Sequence, residues 1–195
     1  MLFSTKKILE AYNFAYTRHK GQFRKFVKIE YIAHPTWVAN FVYAKTGSQN
    51  MAVAALLHDV PEDTTETLPD MAALFEEIRT FFGLRVMHLV SEMTTNEDEM
   101  KYKGKPIYLA NKMLEMSFDA LTLKLSDRLH NVMGLDDDRV PVNFVVRYTA
   151  ETRFIINRMK FGRPLNDLHR EIIGLIEFIL FHVQCCRLGD QIHAM

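Results

Sequence analysis

The stretch that decides the fold reads AALLHDVPEDT and spans Ala54 to Thr64. An apolar run ends in this stretch at His58-Asp59, and a second acidic pair, Glu62-Asp63, follows within one helical turn. Charged groups at the end of an apolar run are costly to bury unless they bind a metal or a partner. The pattern therefore predicts a polar site built at the buried end of a helix.

Two other segments supply side chains of the same kinds. His34 stands before a proline upstream, and Asp127 lies in SDRLHN downstream. Two imidazoles and two carboxylates without a thiolate form a donor set that suits Mn²⁺, Fe²⁺ or Zn²⁺ in a reactive site rather than a structural zinc knot. We interpret this set as the ligands of one divalent metal in a hydrolase: His34, His58, Asp59 and Asp127.

The acidic pair Glu62-Asp63 is predicted to be catalytic. Both residues follow Asp59 by about one helical turn, close enough to orient or deprotonate a water that attacks a phosphoryl group. Glu62 is the expected principal general acid-base residue, with Asp63 beside it. The alternative is that the pair only supplies the negative charge that favours the first turn of the next helix.

The apolar residues recur at helical spacing along nearly the whole chain, so the predicted fold class is all-α, with roughly eight or nine helices around one core. We predict a single domain over residues 1–195. The segment from Gly21 to Pro35 and the segment TTNEDEMKYKGK (Thr94 to Lys105) are predicted to be surface loops. The predicted helices start at Ser4 or Thr5, Thr36, Asn50, Pro69, Leu84, Pro106, Asp119, Pro141 and Leu165.

The charges balance, with 24 basic and 24 acidic side chains. No global field therefore attracts nucleic acid or an anionic membrane, and neither is an expected partner. The adjacent cysteines Cys185 and Cys186 match no thiolate metal motif, and the N-terminus lacks the pattern of a signal peptide, so a cytoplasmic location is expected. The apolar stretch IIGLIEFILFHV (residues 172–183) is too short for a bilayer span and is expected to be a buried helix or a homo-oligomer interface.

Five segments, in this order, resemble the hydrolase domain of RelA/SpoT homologues in the stand-alone form called small alarmone hydrolase. The segments are HKGQFRK (residues 19–25), YIAHP (31–35), AALLHDVPEDT (54–64), FG (82–83) and KLSDRLHN (124–131). The resemblance runs from residue 19 to about residue 152. It implies a family-like core over about residues 3–160, followed by an extra helix over about residues 165–187.

The resemblance implies the HD-domain helical bundle, an Mn²⁺ site, and hydrolysis of ppGpp and pppGpp at the 3′-pyrophosphate to give GDP or GTP and pyrophosphate. It assigns the four metal ligands and the acidic pair to the positions given above. It also implies that Arg24 lies over the base, that Lys25 lies near the phosphates and that Asn131 lines the nucleotide pocket. Arg147 and Tyr148 fall where the family closes that pocket. The chain departs from the family between Lys25 and His34, where it is slightly longer and lacks the usual glycine and proline.

Two alternatives stay open. The first is the same metal chemistry on another nucleotide, such as pppApp or the 2′-phosphate of NADPH, because an arginine that stacks on a base discriminates purines poorly. The second is a non-catalytic alarmone-binding module. Arg128 is expected to be a structural ion-pairing arginine, and His130 a core residue.

Overall fold

The computed structural model describes residues 2–187, with side chains described from residue 6 onward. In this part of the chain, nine helices have nine or more residues and two are shorter, and no strand is present beyond one isolated bridge. The all-α prediction is confirmed. The helices are α1 (Leu2–Arg18), α2 (Ala33–Thr46), α3 (Gln49–Leu57), α4 (Val60–Thr64), α5 (Leu68–Phe82), α6 (Leu84–Met93), α7 (Glu97–Lys103), α8 (Lys105–Glu115), α9 (Phe118–Met133), α10 (Val142–Gly162) and α11 (Asp167–Arg187), with a 3₁₀ turn at Gly134–Asp136.

The described chain divides into two compact units. The first comprises residues 2–95 and 117–123, and the second comprises residues 96–116 and 124–187. Helix α9 begins in the first unit and ends in the second. The single domain expected from the sequence stays a prediction.

The centre of the first unit is α3, whose residues Met51 to Leu57 are all buried. A helix that is apolar on every side has to be surrounded by other elements, and α1, α2 and α6 pack around this one. The Ser48 side chain caps it by accepting a hydrogen bond from the Met51 N–H. The cap is therefore Ser48 and not Asn50, and α2 likewise begins at Ala33, before the predicted cap Thr36.

The prediction of a loop from Thr94 to Lys105 was wrong, because residues Glu97–Lys103 form the helix α7. No residue of α7 is buried, so its sequence lacks the apolar residues at helical spacing from which the other helices were predicted. The helix is stabilised locally instead. Asn96 caps its first turn by accepting the Glu99 N–H, and Glu97–Lys101 is one of two ion pairs at i,i+4 spacing.

In the second unit, α10 packs against α8 and α11. The end of α10 approaches α8 so closely that a Cβ at Gly162 would lie 2.5 Å from a methyl group of Leu114. The end of α11 is anchored by the Arg187 guanidinium, which donates hydrogen bonds to the backbone carbonyls of residues 135, 137 and 140. Within residues 2–187, no helix combines the length and apolar character needed to cross a bilayer.

Candidate active site

Three of the four predicted metal ligands converge in the first unit. His34 lies in the first turn of α2, His58 directly follows the last residue of α3, and Asp59 comes next. The Oδ2 atom of Asp59 lies 3.7 Å from His34 Nε2 and 3.1 Å from His58 Nε2. Both imidazoles are buried, at 1% exposure. Among residues 2–187, this is the one group of three such side chains whose donor atoms all lie within 4.8 Å of one another.

The geometry of His58 prepares its Nε2 atom for a cation. Its Nδ1 atom lies 2.7 Å from the backbone carbonyl of Ala55. Because a carbonyl only accepts, the imidazole donates there and keeps its lone pair on Nε2, which faces Asp59. Two neutral imidazoles and one carboxylate at these distances fit a divalent metal.

Sequence reasoning missed a tyrosine that supports this cluster. The Tyr31 hydroxyl donates a 2.6 Å hydrogen bond to Asp59 Oδ2 and also contacts the Asp63 carboxyl. The buried ring of His19 packs against Tyr31 with 4.9 Å between ring centroids. Burial lowers the pKa of His19, although its hydrogen bond to Gln22 opposes that shift. Both residues stand in the quoted motifs HKGQFRK and YIAHP, which were the available signal.

The acidic pair lies on the short helix α4, directly after the cluster. Glu62 is held by the backbone N–H of Thr95, which donates to its Oε1 atom over 2.6 Å. The pKa of the Asp63 carboxyl is raised to about 6, first by burial and then by the negative charges of Asp59 and Glu62. A carboxyl with such a pKa exchanges protons readily near neutral pH, as general acid-base chemistry requires.

The fourth predicted ligand, Asp127, belongs to the second unit and stays a prediction. It is 9% exposed and lies on α9 between two polar neighbours one turn away. Lys124 Nζ lies 3.3 Å from its Oδ2 atom, and the Asn131 amide donates to its Oδ1 atom over 2.7 Å. Asn131, predicted to line the nucleotide pocket, thus orients this carboxylate.

Arg128 is a structural ion-pairing residue, as expected. It is 4% exposed, and its guanidinium donates to Glu151 Oε1 and to the Thr152 hydroxyl, each over 3.0 Å. This pair fixes α9 against α10.

Arg147 and Tyr148 line a cavity of about 770 Å³ in the second unit, between the start of α8 and α10. Tyr148 stacks on Phe144 with 5.6 Å between ring centroids, and the Arg147 guanidinium lies 5.6 Å from the Phe144 ring. Lys105 adds a second cation to the wall. Glu151 contributes a carboxylate, so the cavity combines aromatic surfaces with two cations and one anion.

Arg24 and Lys25 lie in the segment between α1 and α2, which forms a hairpin-like turn rather than an open loop. The Arg24 N–H donates to the carbonyl of Ile29 over 2.8 Å, and Phe23 forms an isolated bridge with Glu30. Phe26 has a φ of 70°, an unusual value for a residue other than glycine. Their predicted contacts with a nucleotide stay predictions.

Comparison with known proteins identifies the family. A family model described as "HD domain" matches residues 11–152. The chain belongs to the HD-domain family. Within it, the chain is of the RelA/SpoT hydrolase type. It is 40% identical over 131 residues to guanosine-3′,5′-bis(diphosphate) 3′-pyrophosphohydrolase MESH1 of Xenopus tropicalis, covering 66% of this chain and 69% of that protein.

Other relatives agree. Human MESH1 is 35% identical over 133 residues, which cover 67% of this chain and 70% of that protein. A guanosine-3′,5′-bis(diphosphate) 3′-pyrophosphohydrolase of Spiroplasma citri is 35% identical over 134 residues, 65% of this chain, but the match spans only 17% of that much longer protein. The solved structure of a metazoan SpoT orthologue that hydrolyses ppGpp superimposes with a TM-score of 0.71 at 23% identity, over 87% of this chain and 93% of that one, and shows the same fold.

Proposed function

We propose that this HD-domain chain is a metal-dependent hydrolase that converts ppGpp and pppGpp into GDP and GTP by releasing the 3′-pyrophosphate. The observation that carries the proposal is the convergence of His34, His58 and Asp59 beside the acidic pair. Relatives that are 35–40% identical to the chain bear the name of this activity.

His34, His58, Asp59 and Asp127 would hold the metal, for which we propose Mn²⁺. When bound, such an ion lowers the pKa of water and polarises a phosphoryl oxygen. Glu62, with Asp63 beside it, takes the proton from the attacking water. The water oxygen bonds to the phosphorus next to the ribose, the bond from that phosphorus to the 3′-oxygen breaks, and the acid-base pair returns a proton to the departing oxygen.

We propose that the nucleotide is held by Arg24 over the base, by Lys25 near the phosphates, and by Asn131, Arg147 and Tyr148. The aromatic and cationic walls around Arg147 and Tyr148 support this assignment. Stacking surfaces accept any purine, so pppApp and NADPH are the alternative substrates to test.

The deciding experiment is an incubation of the purified chain with Mn²⁺ and, separately, ppGpp, pppGpp, pppApp and NADPH, with the products resolved by ion-exchange chromatography. We expect pyrophosphate and GDP or GTP from the guanosine substrates. Asp59→Ala should abolish turnover and metal binding, whereas Asp167→Ala, at an exposed residue that is not part of the proposed site, should change neither. Turnover at the parent rate in chelator-treated protein would overturn the proposal.

Parallel assays with Mg²⁺, Fe²⁺ and Zn²⁺ test the choice of Mn²⁺. Faster turnover of pppApp or NADPH would reassign the substrate, and ppGpp binding without turnover in any metal would leave only an alarmone-binding module.

We also propose a cytoplasmic location, a small nucleotide rather than nucleic acid as the partner, and a homo-oligomer formed through α11. The balanced charge of the chain supports the choice of a small partner. A small anion can be bound by the lysine and arginine of one cavity, whereas nucleic acid would need positive charge over a larger surface.

A further inference from the structure

Helix α11 carries a second apolar stripe that the core does not use. Its residues are Gly174, Phe178, Phe181 and Cys185, which follow one another at steps of four, three and four. At 100° per residue these positions lie on the side opposite the buried residues of the same helix. Alternating steps of three and four are the spacing of helices that pair along a seam. Phe178 is 70% exposed and Phe181 is 64% exposed.

Helix α10 carries a matching stripe. Phe154 and Phe161 are 42% and 89% exposed, and they lie opposite the buried side of α10. Two side-chain pairs, Arg153–Gln184 and Lys160–Glu177, join α10 to α11 side by side. Because each stripe faces away from its own buried side, the two stripes form one surface of the helical hairpin, which we call the aromatic face.

The aromatic face contains both projections and a recess. A groove of about 400 Å³ is lined by Phe154, Asn157, Arg158, Phe161 and Gly162. All five residues belong to α10, so the groove is an open recess along one helix, and its volume exceeds the roughly 150 Å³ of a closed cavity that binds benzene. Phe178 and Phe181 are the projecting rings on the neighbouring helix. A surface that carries both a ring and a groove for a ring is self-complementary, as a two-fold interface requires.

The size of the aromatic face also fits a second copy of this chain. Its four phenylalanines expose about 500 Å² in total, near the upper size of an apolar patch on a monomeric protein. Two copies that pair through it would bury up to about 1,000 Å² from these rings alone, which is about the least area expected of a biological interface. The open space around Gly174 lets a second helix approach, since no heavy atom lies within 4 Å of the position of its missing Cβ.

We propose that two copies of this chain form a two-fold dimer through the aromatic face, with Phe178 and Phe181 of each copy entering the groove between Phe154 and Phe161 of the other. The proposal rests on the homo-oligomer through α11 proposed above and gives it an interface; it does not depend on the hydrolase activity, although Phe154 also lines the cavity that contains Arg147 and Tyr148.

Sedimentation of the full chain over a concentration series tests the dimer. The mass should rise from 22.7 kDa towards twice that value. Phe181→Ser should keep the chain monomeric at every concentration. Phe81→Ser is the matched control, because Phe81 is likewise 63% exposed but belongs to the first unit and not to the aromatic face; this variant should dimerise like the parent. A monomeric parent, or a dimer that Phe181→Ser leaves intact, would overturn the proposal.

The two cysteines give a second readout that needs no phenylalanine variant. Both are exposed, but Cys185 belongs to the stripe and Cys186 lies 100° further around the helix. Raising the protein concentration should slow the alkylation of Cys185 by iodoacetamide several-fold while Cys186 changes less. Equal behaviour of the two thiols in an associating sample would place the interface elsewhere and contradict the proposal.

Discussion

At the scale of the residue, the cluster of His34, His58 and Asp59 is supported by a tyrosine whose residue type alone does not predict a role there. Tyr31 resembles an ordinary core aromatic residue in the sequence, yet its hydroxyl bonds the carboxylate of Asp59. The convergence of His34, His58 and Asp59 could be anticipated because His58 and Asp59 end an apolar run, where such side chains are costly without a partner; that they bind a metal stays a prediction. Supporting residues such as Tyr31 and His19 matter because of where their side chains lie after folding, and residue type alone does not predict that position.

Tyr31→Phe should weaken Mn²⁺ binding by roughly 10-fold or more, because removing a partner that orients a metal ligand typically costs that much. Competition against a fluorescent chelator measures the affinity. Tyr43→Phe, at an exposed position on α2, is the control and should bind like the parent. An unchanged affinity in Tyr31→Phe would mean that Asp59 holds its position without the hydroxyl.

Glu62→Gln should lower kcat by roughly 100-fold or more, the usual scale for loss of a general acid-base group, while the metal content stays at the parent level. Kinetics and elemental analysis of the same preparation separate the two effects. A variant with the parent kcat would show that Glu62 is not the acid-base residue and only accepts the hydrogen bond of the Thr95 N–H.

Arg24→Ala should weaken the binding of all purine substrates by a similar factor, because stacking does not distinguish between bases. The expected loss of binding free energy is about 1–3 kcal/mol. Lys25→Ala should weaken binding mainly at low salt, since an exposed charge is screened within about 8 Å at physiological ionic strength. Titrations at two salt concentrations distinguish the variants. If Arg24→Ala binds every nucleotide as the parent does, the hairpin at residues 23–30 has moved the guanidinium out of reach.

At the scale of the element, the sequence predicted helices well where burial shapes them and poorly where it does not. Helix α6 begins and ends where its apolar pattern predicts, and the buried run of α3 is recognisable from its composition. Helix α7 was missed because capping and ion pairs stabilise it without an apolar face. The predicted caps Thr36 and Asn50 lie four and two residues after the observed N-caps Ile32 and Ser48. The start of α2 carries no capping signal, because Ile32 makes no side-chain capping bond, whereas α3 has two residues of capping type near its start.

Asn96→Ala should loosen α7 with little effect on the rest of the chain, since the cap is worth about 1 kcal/mol and α7 buries nothing. Hydrogen exchange should accelerate in residues 97–103, while the amides of α3 keep their protection. Uniform acceleration across the chain would show that α7 supports the core as well.

At the scale of the whole molecule, the family and the all-α fold were predictable because five separate motifs occur in order along most of the chain. The division into two units was not, because the break falls inside the continuous helix α9 and leaves no linker in the sequence. Pocket residues such as Ile107 and Phe144 could not be predicted either, because they come together only after folding and their residue types carry no sign of a site.

Mn²⁺ at about 100 times its Kd should stabilise the chain by about 2.7 kcal/mol, because a ligand that binds only the folded state shifts the unfolding equilibrium by mass action. Calorimetry should show a higher Tm with metal than with chelator. Asp59→Ala should show no such difference. A metal-induced rise in Tm that survives in Asp59→Ala would place the ion at another site.

The buried run Met51–Leu57 of α3 leads directly into His58 and Asp59, so the site begins where the core of the first unit ends. A change that displaces either residue also disturbs the packing of the first unit, and its cost in stability is high. The turn with Arg24 and Lys25 lies outside this buried run and carries no such penalty. New substrate specificities should therefore be accessible to evolution, or to a designed library, through this turn, while the hydrolytic chemistry is inherited unchanged.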